Sequence, residues 1–211
     1  MSLAIKNSIW LHNIEIPGSI GSALNNAFAD NDWRLYFIDD SGRNAGVPVD
    51  PQHWHQEVWS SELEAMDYKI NHRFCVLMSP WKRTINCFNS TMQRLNLDPN
   101  TDHLNKFVAK GLKRSAKIPT FHNNHWRPQT EFYDDSVTLY DTNRISELMV
   151  FLKQIPGLRW QPKYQLIPEN DYIQFKFEDL IPENQLDWYT KFENDWEVWI
   201  DRTKRDKNFI C

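Results

Sequence analysis

The chain has 211 residues, with 24 Lys and Arg against 28 Asp and Glu for a net charge of -4, and no compositional break marks a linker, so a single α/β domain over residues 1–211 with a sizeable core is expected. The acidic balance argues against a general nucleic-acid binder. No apolar run reaches membrane-spanning length, no signal-peptide core opens the chain, and Cys75, Cys87 and Cys211 form no disulfide framework, which together point to a soluble cytoplasmic protein with free thiols, no nucleic-acid partner and no membrane partner. The 10 Trp and 14% aromatic content exceed the needs of such a core, and some rings are expected to line a cleft.

Met1-Ser2-Leu3 has the look of an expression-vector remnant and is set aside. Leu11 to Ile16 alternates apolar and polar residues, stops at Pro17-Gly18 and restarts as Ser22-Ala23-Leu24-Asn25-Asn26-Ala27-Phe28, a pattern of strand, tight loop and helix. Small residues at Gly18, Ser19, Gly21, Ser22 and Ala23 let backbone N–H groups approach an anion at the helix N-terminus. The competing reading is a plain strand-to-helix turn that needs small residues. Trp33 to Ile38 is rich in β-formers and is expected to be the second strand, ending at Asp39-Asp40-Ser41-Gly42. From Ser41 to Gln52, Gly and Pro predict a loop at the same edge of the sheet as the first turn, where ligands of open α/β sheets bind.

His53-Trp54-His55 opens a helical stretch that runs to Met66, and two histidines beside an anion turn are candidates for proton transfer. They read equally as surface residues or as a metal half-site, but no Cys or acidic residue stands at ligand spacing, so no metal is expected. Arg73 to Met78 is a continuous apolar run, expected as a strand buried on both faces. Ser79 as N-cap and Pro80 at the first helical position then start a helix through Phe88, making a second strand-to-helix turn able to hold an anion. Thr101 to Lys117 has helical spacing and a basic flank, read as a solvated face or as the contact for an acidic acceptor. Val137 to Tyr140 predicts a short strand, Ile145 to Leu152 a helix ended by Pro156-Gly157, Gln161 to Asp171 a loop near an acceptor cleft, and Glu183 to Arg202 a closing amphipathic helix whose aromatic stripe faces the core.

Four of these segments, taken in order, resemble the carbohydrate-type sulfotransferases, which move a sulfuryl group from 3′-phosphoadenosine 5′-phosphosulfate to a hydroxyl. Ile16-Pro17-Gly18-Ser19-Ile20-Gly21-Ser22-Ala23 is similar to that family's Ile-Pro-Lys-x-Gly-Gly-x-Ser turn for the 5′-phosphosulfate. Leu77-Met78-Ser79-Pro80-Trp81-Lys82-Arg83-Thr84-Ile85-Asn86 is similar to its Val-Arg-Asp-Pro-x-x-Arg-x-x-Ser segment for the 3′-phosphate. His125-Trp126-Arg127-Pro128-Gln129 resembles its His-Trp-x-Pro-Gln, and Phe192-Glu193-Asn194-Asp195-Trp196 its closing Tyr-x-x-Asp-aromatic helix. The chain departs from the family at Gly18, Met78 and Asn86, which stand where the family carries Lys, Arg and Ser.

The resemblance implies a three-layer α/β sandwich with a mainly parallel central sheet, of P-loop NTPase-like sulfotransferase architecture. It implies a nucleotide donor held by Pro17, Gly18, Ser19, Ile20, Gly21, Ser22 and Ala23 on the 5′ side and by Ser79, Arg83 and Asn86 on the 3′ side, with no metal. Arg127 and His125 complete the donor or acceptor side, and Lys82 and Arg43 are further cations for the donor. His55 or His53 would be the base, at a spacing from the second strand end like that of the catalytic histidine in uronyl 2-O-sulfotransferases, acting on a hydroxylated acceptor, a sugar by the resemblance. Two functions follow: sulfuryl transfer, or binding of a nucleotide or glycan on the same fold without transfer. A third, nucleotide kinase, lacks the Gly-Lys-Ser/Thr that holds phosphate and Mg²⁺.

Overall fold

The computed structural model describes residues 2–37, 53–66, 69–161 and 174–204; the loop expected at Ser41 to Gln52, the cation Arg43 and nearly all of the loop at Gln161 to Asp171 lie outside them. The fold begins with a hairpin, β1 (Ser2–Lys6) and β2 (Ile9–Ile14). Asn7 and Ser8 between them both have positive φ, 49° and 65°, as a two-residue loop matched to strand twist demands, and they set Lys6 opposite Ile9. Then come α1 (Gly21–Asp30), β3 (Arg34–Tyr36), α2 (Gln56–Met66), β4 (His72–Leu77), α3 (Pro80–Leu95), α4 (Thr101–Ser115), β5 (Thr138–Asp141), α5 (Ile145–Gln154) and α6 (Pro182–Lys204).

The sheet order is β3-β1-β2-β4-β5. β1 is antiparallel to both β2 and β3, whereas β2, β4 and β5 are parallel. The sheet is therefore mixed rather than mainly parallel, and the cause is the hairpin built from residues that look dispensable in the sequence. Ser2 and Leu3 are both fully buried, so they belong to the fold. The Trp33 to Ile38 segment supplies a three-residue edge strand, third in the chain, because β1 takes the position beside β2.

Side-chain alternation sorts the strands onto two helical layers. Ala4, Leu11, Phe74 and Val76 pack on Leu24 and Phe28 of α1 and Leu148 and Leu152 of α5. Leu3, Ile14, Cys75 and Leu77 face Trp59 and Leu63 of α2 and Trp199 of α6. A third cluster joins α3, α4 and α6 through Phe88, Val108, Trp126 and Trp188. Much of the tryptophan content goes into packing: Trp54, Trp59 and Trp188 are 1% exposed, and two of them satisfy their indole N–H internally, Trp59 on the Phe132 carbonyl at 2.8 Å and Trp188 on Thr84 Oγ1 at 3.0 Å.

Parallel pairing of β2 with β4, Ile14 opposite Cys75, brings the two strand-to-helix turns to one edge. Ser19 Oγ donates to the Val76 carbonyl at 3.0 Å and Asn86 Nδ2 to the Gly18 carbonyl at 3.2 Å, so the turns adjoin as the sequence leads one to expect.

Candidate functional site

The first turn is closed by its own backbone and by a carboxyl group. Ser19 N–H bonds the Ile16 carbonyl at 3.0 Å, and Ala23 and Leu24 N–H both reach the Ile20 carbonyl. Alternation along β2 sends Asn13 and Glu15 to the α1 side, where Asn25 Nδ2 donates to Glu15 Oε2 at 3.0 Å, Ser2 Oγ to Asn25 Oδ1 at 2.8 Å and Asn13 Nδ2 to Ser2 Oγ at 3.3 Å. Glu15 is 5% exposed. Its side chain lies against the first turn of α1: a Cβ on Gly21 would stand 2.0 Å from Glu15 Cγ and 2.2 Å from Oε1. Burial pushes the Glu15 carboxyl up, against the Asn25 hydrogen bond that favours its charged form. The space among Asn13, Glu15, Ser19, Gly21 and Val76 does not admit a water-sized sphere. A residue absent from the sequence-derived site thus fills the place beside the amides of residues 18–23. The signal for it was a carboxylate between two isoleucines at the end of the alternating strand, one residue short of the Pro17-Gly18 turn.

Gly18 is fixed by geometry. Its φ is +81°, and a Cβ there would lie 3.3 Å from Arg83 Cγ and 3.4 Å from the Arg83 carbonyl, so a lysine at this position is strained in its backbone and crowded in its side chain. The remaining residues assigned to this turn divide by exposure: Ser22 is exposed, while Pro17, Ile20 and Gly21 are buried.

The second turn holds Arg83, which is 3% exposed. Its guanidinium donates through Nε to the Pro17 carbonyl at 2.8 Å and through Nη2 to the His125 carbonyl at 3.1 Å and the Asn124 carbonyl at 3.4 Å, and Nη1 stands 4.0 Å from Asp195 Oδ2. Asp195 also accepts from the N–H groups of Gln129 and Thr130, at 2.7 and 3.0 Å, and from Thr130 Oγ1 at 3.1 Å. Gln129 in turn bonds both the N–H and the carbonyl of Met78, at 3.1 and 2.8 Å, imitating a strand neighbour at the end of β4. Burial pulls Arg83 down and pushes Asp195 up, each opposed by the other's charge. All four motif segments converge on this buried network. Arg83 and Asn86, expected to face a 3′-phosphate, instead donate to carbonyls of the 17–18 turn, and Ser79 makes no side-chain cap.

Beside this network the chain passes through His122, Asn123 and Asn124 at φ of 54°, 53° and 63°, three left-handed residues in a row, a conformation that disfavours L-residues by ~1–2 kcal/mol each. His53 clasps it: Asn124 Nδ2 donates to the His53 carbonyl at 2.9 Å, and Asn123 Nδ2 lies 2.7 Å from His53 Nδ1. The His125 ring stacks on His122 at 4.9 Å and meets His53 edge-on at 5.2 Å. Burial, then the nearby His122, pull His125 down to about 4, and burial and Arg94 lower His122. Cys87 Sγ stands 3.8 Å from His122 Nδ1, and burial pushes its thiol up to about 12, so it is no thiolate nucleophile.

His55 is placed differently. Its side chain is 14% exposed, 3.7 Å from Glu57 Oε2, and burial followed by Arg127 pulls its pKa down against Glu57 and Glu131. Arg127 pairs with Glu131 and reaches Asn124 Oδ1 at 3.4 Å, and both act on the charge of Lys191 on α6. A neutral imidazole, a guanidinium, a carboxylate and an ammonium thus share one polar surface next to the closed turns.

Among the described residues no group of three or more His, Cys, Asp or Glu is placed to hold a metal ion, and no helix is long and apolar enough to cross a membrane. Comparison with protein-family models, curated proteins and solved structures finds no match for the chain.

Proposed function

We propose that the protein is a sulfotransferase-like binding protein, which recognises a nucleotide or glycan without transferring a sulfuryl group. The observation that carries this reading is the Glu15 side chain at the head of α1: a donor's 5′-phosphosulfate would meet a carboxylate where it needs cations and amides. The 3′ side supports it, since the Arg83 guanidinium is already bonded to two main-chain segments and faces Asp195. Ligand recognition falls to the surface of His55, Arg127, Glu131 and Lys191, whose mixed donors and acceptors suit hydroxyls and an anionic group together.

Active transfer is the second reading, favoured by His55 itself. A partly exposed imidazole held neutral can take a proton from an acceptor hydroxyl.

Calorimetry with 3′-phosphoadenosine 5′-phosphate and with a glycan panel, beside a labelled-donor transfer assay, separates the two. The binding reading expects saturable ligand binding, weakened by Arg127→Ala, and no transfer by the parent protein. Transfer that falls roughly 10²–10⁴-fold in His55→Ala with donor affinity intact would establish the second reading instead.

A further inference from the structure

A groove of about 1230 Å³ lies between α4 and α6. The helices run in the same direction. Near their starts Asn105 accepts from Ile181 N–H at 2.8 Å and from Asn184 Nδ2 at 3.0 Å. Further along, Gly111 lies against Trp126, whose ring is 6.5 Å from Phe192. The groove is kept open by Ala109, Ala116 and Thr190, and beside it stand Leu186, 67% exposed, and Ile181, 51% exposed. Leu186 is the most exposed large apolar side chain described.

Charge along the groove is polarised. Asp102, Glu183 and Asp187 line it towards the helix starts, Lys106 is bound to Asp102 at 2.6 Å, and Lys113 and Lys191 line the other end. Asp102 and Glu183 in the first turns and Lys113 in the last turn of α4 suit their own helix dipoles, but two parallel helices side by side also add their dipoles. A rotation by half a turn about an axis across the groove sets acidic end on basic end and opposes the dipoles. The groove is thus complementary in charge to itself in the antiparallel sense and to no parallel copy.

We propose that a second copy of this chain covers the α4–α6 groove, forming an antiparallel two-fold dimer in which Leu186 of each protomer enters the other's groove and Lys113 of each faces Asp187 of the other. The groove shares Lys191 with the ligand-recognition surface, but the test uses none of that surface's residues. Sedimentation velocity over a concentration series on the parent protein is expected to show a reversible dimer, weakened by salt. Leu186→Glu should leave a monomer with an unchanged circular dichroism spectrum, because the side chain is exposed. Lys113→Glu and Asp187→Lys should each weaken the dimer about tenfold, since symmetry repeats every lost contact, each worth about threefold. The two charge reversals combined in one chain should restore it. A parent protein monomeric from micromolar to millimolar concentration would overturn the proposal. So would a dimer indifferent to Leu186→Glu, or a combined variant no tighter than either single one.

Discussion

Replacing Arg83 with methionine distinguishes a residue that serves a ligand from one that holds the fold. The substitution keeps the aliphatic stem and removes the guanidinium, leaving the Pro17 and His125 carbonyls without their donors at 2.8 and 3.1 Å and Asp195 without its cation at 4.0 Å. Hydrogen bonds to a charged group are worth ~1.5–3 kcal/mol net, and breaking a buried ion pair costs ~3–5 kcal/mol. These losses overlap, and Asp195 keeps the two N–H donors and one O–H donor of Gln129 and Thr130, so about 3–4 kcal/mol is expected. Against a total stability of ~5–15 kcal/mol that is a large share. Arg83→Lys is the companion variant, retaining charge but unable to fork between separate carbonyls, with an expected loss of about half as much. Urea unfolding followed by tryptophan fluorescence reads the loss as a lower midpoint at constant slope. The reasoning fails if Arg83→Met stays within about 1 kcal/mol of the parent while affinity for 3′-phosphoadenosine 5′-phosphate drops tenfold or more, the signature of a phosphate contact.

Glu15→Gln keeps an acceptor for Asn25 and removes a buried charge, so its melting temperature at pH 7 should equal or exceed the parent's, with the gap closing as acid protonates Glu15 in the parent; a large loss at pH 7 would show that the charge is needed. Gly21→Ala should lower stability by ~1–3 kcal/mol through collision with Glu15, and combining it with Glu15→Ala should cost less than the sum of the two in a double-mutant cycle. Acid should destabilise the protein between pH 6.5 and 4. His125, at about 4 when folded and 6.5 when free, binds its proton more readily in the unfolded chain across that window, so stability falls with pH, by about 3 kcal/mol for this residue. His12, His55, His72 and His122 shift the same way, against the opposite sign from Glu15 and Asp195. A flat melting profile over that range would contradict the sum.

Local signals carried much of the architecture. Alternation in Leu11 to Ile16, the apolar run Arg73 to Met78, Pro80 at a helix start and the helical spacing of Thr101 to Lys117 and Glu183 to Arg202 each depend on neighbours a few residues away, and each of these elements is present in the fold within a few positions at its ends, except that the helix from Pro80, expected through Phe88, runs on to Leu95. Adjacency of the two turns was legible as well, because parallel strands joined through helices put their ends at one edge. What a short window cannot hold is a partner far along the chain. Ser2 bonds Asn25 across 23 residues and Arg83 bonds Pro17 across 66, so Ser2 and Leu3, the first residues of β1, looked disposable and Arg83 looked available to a phosphate. Sequence fixes which residue types stand near a turn; packing decides whether their hydrogen bonds go to a ligand or to the chain itself. A buried guanidinium must find acceptors wherever the fold supplies them. Here that supply came from the carbonyls of the 17–18 turn and the 122–125 loop, and the small residues at 18 and 21 made room for Arg83 and Glu15.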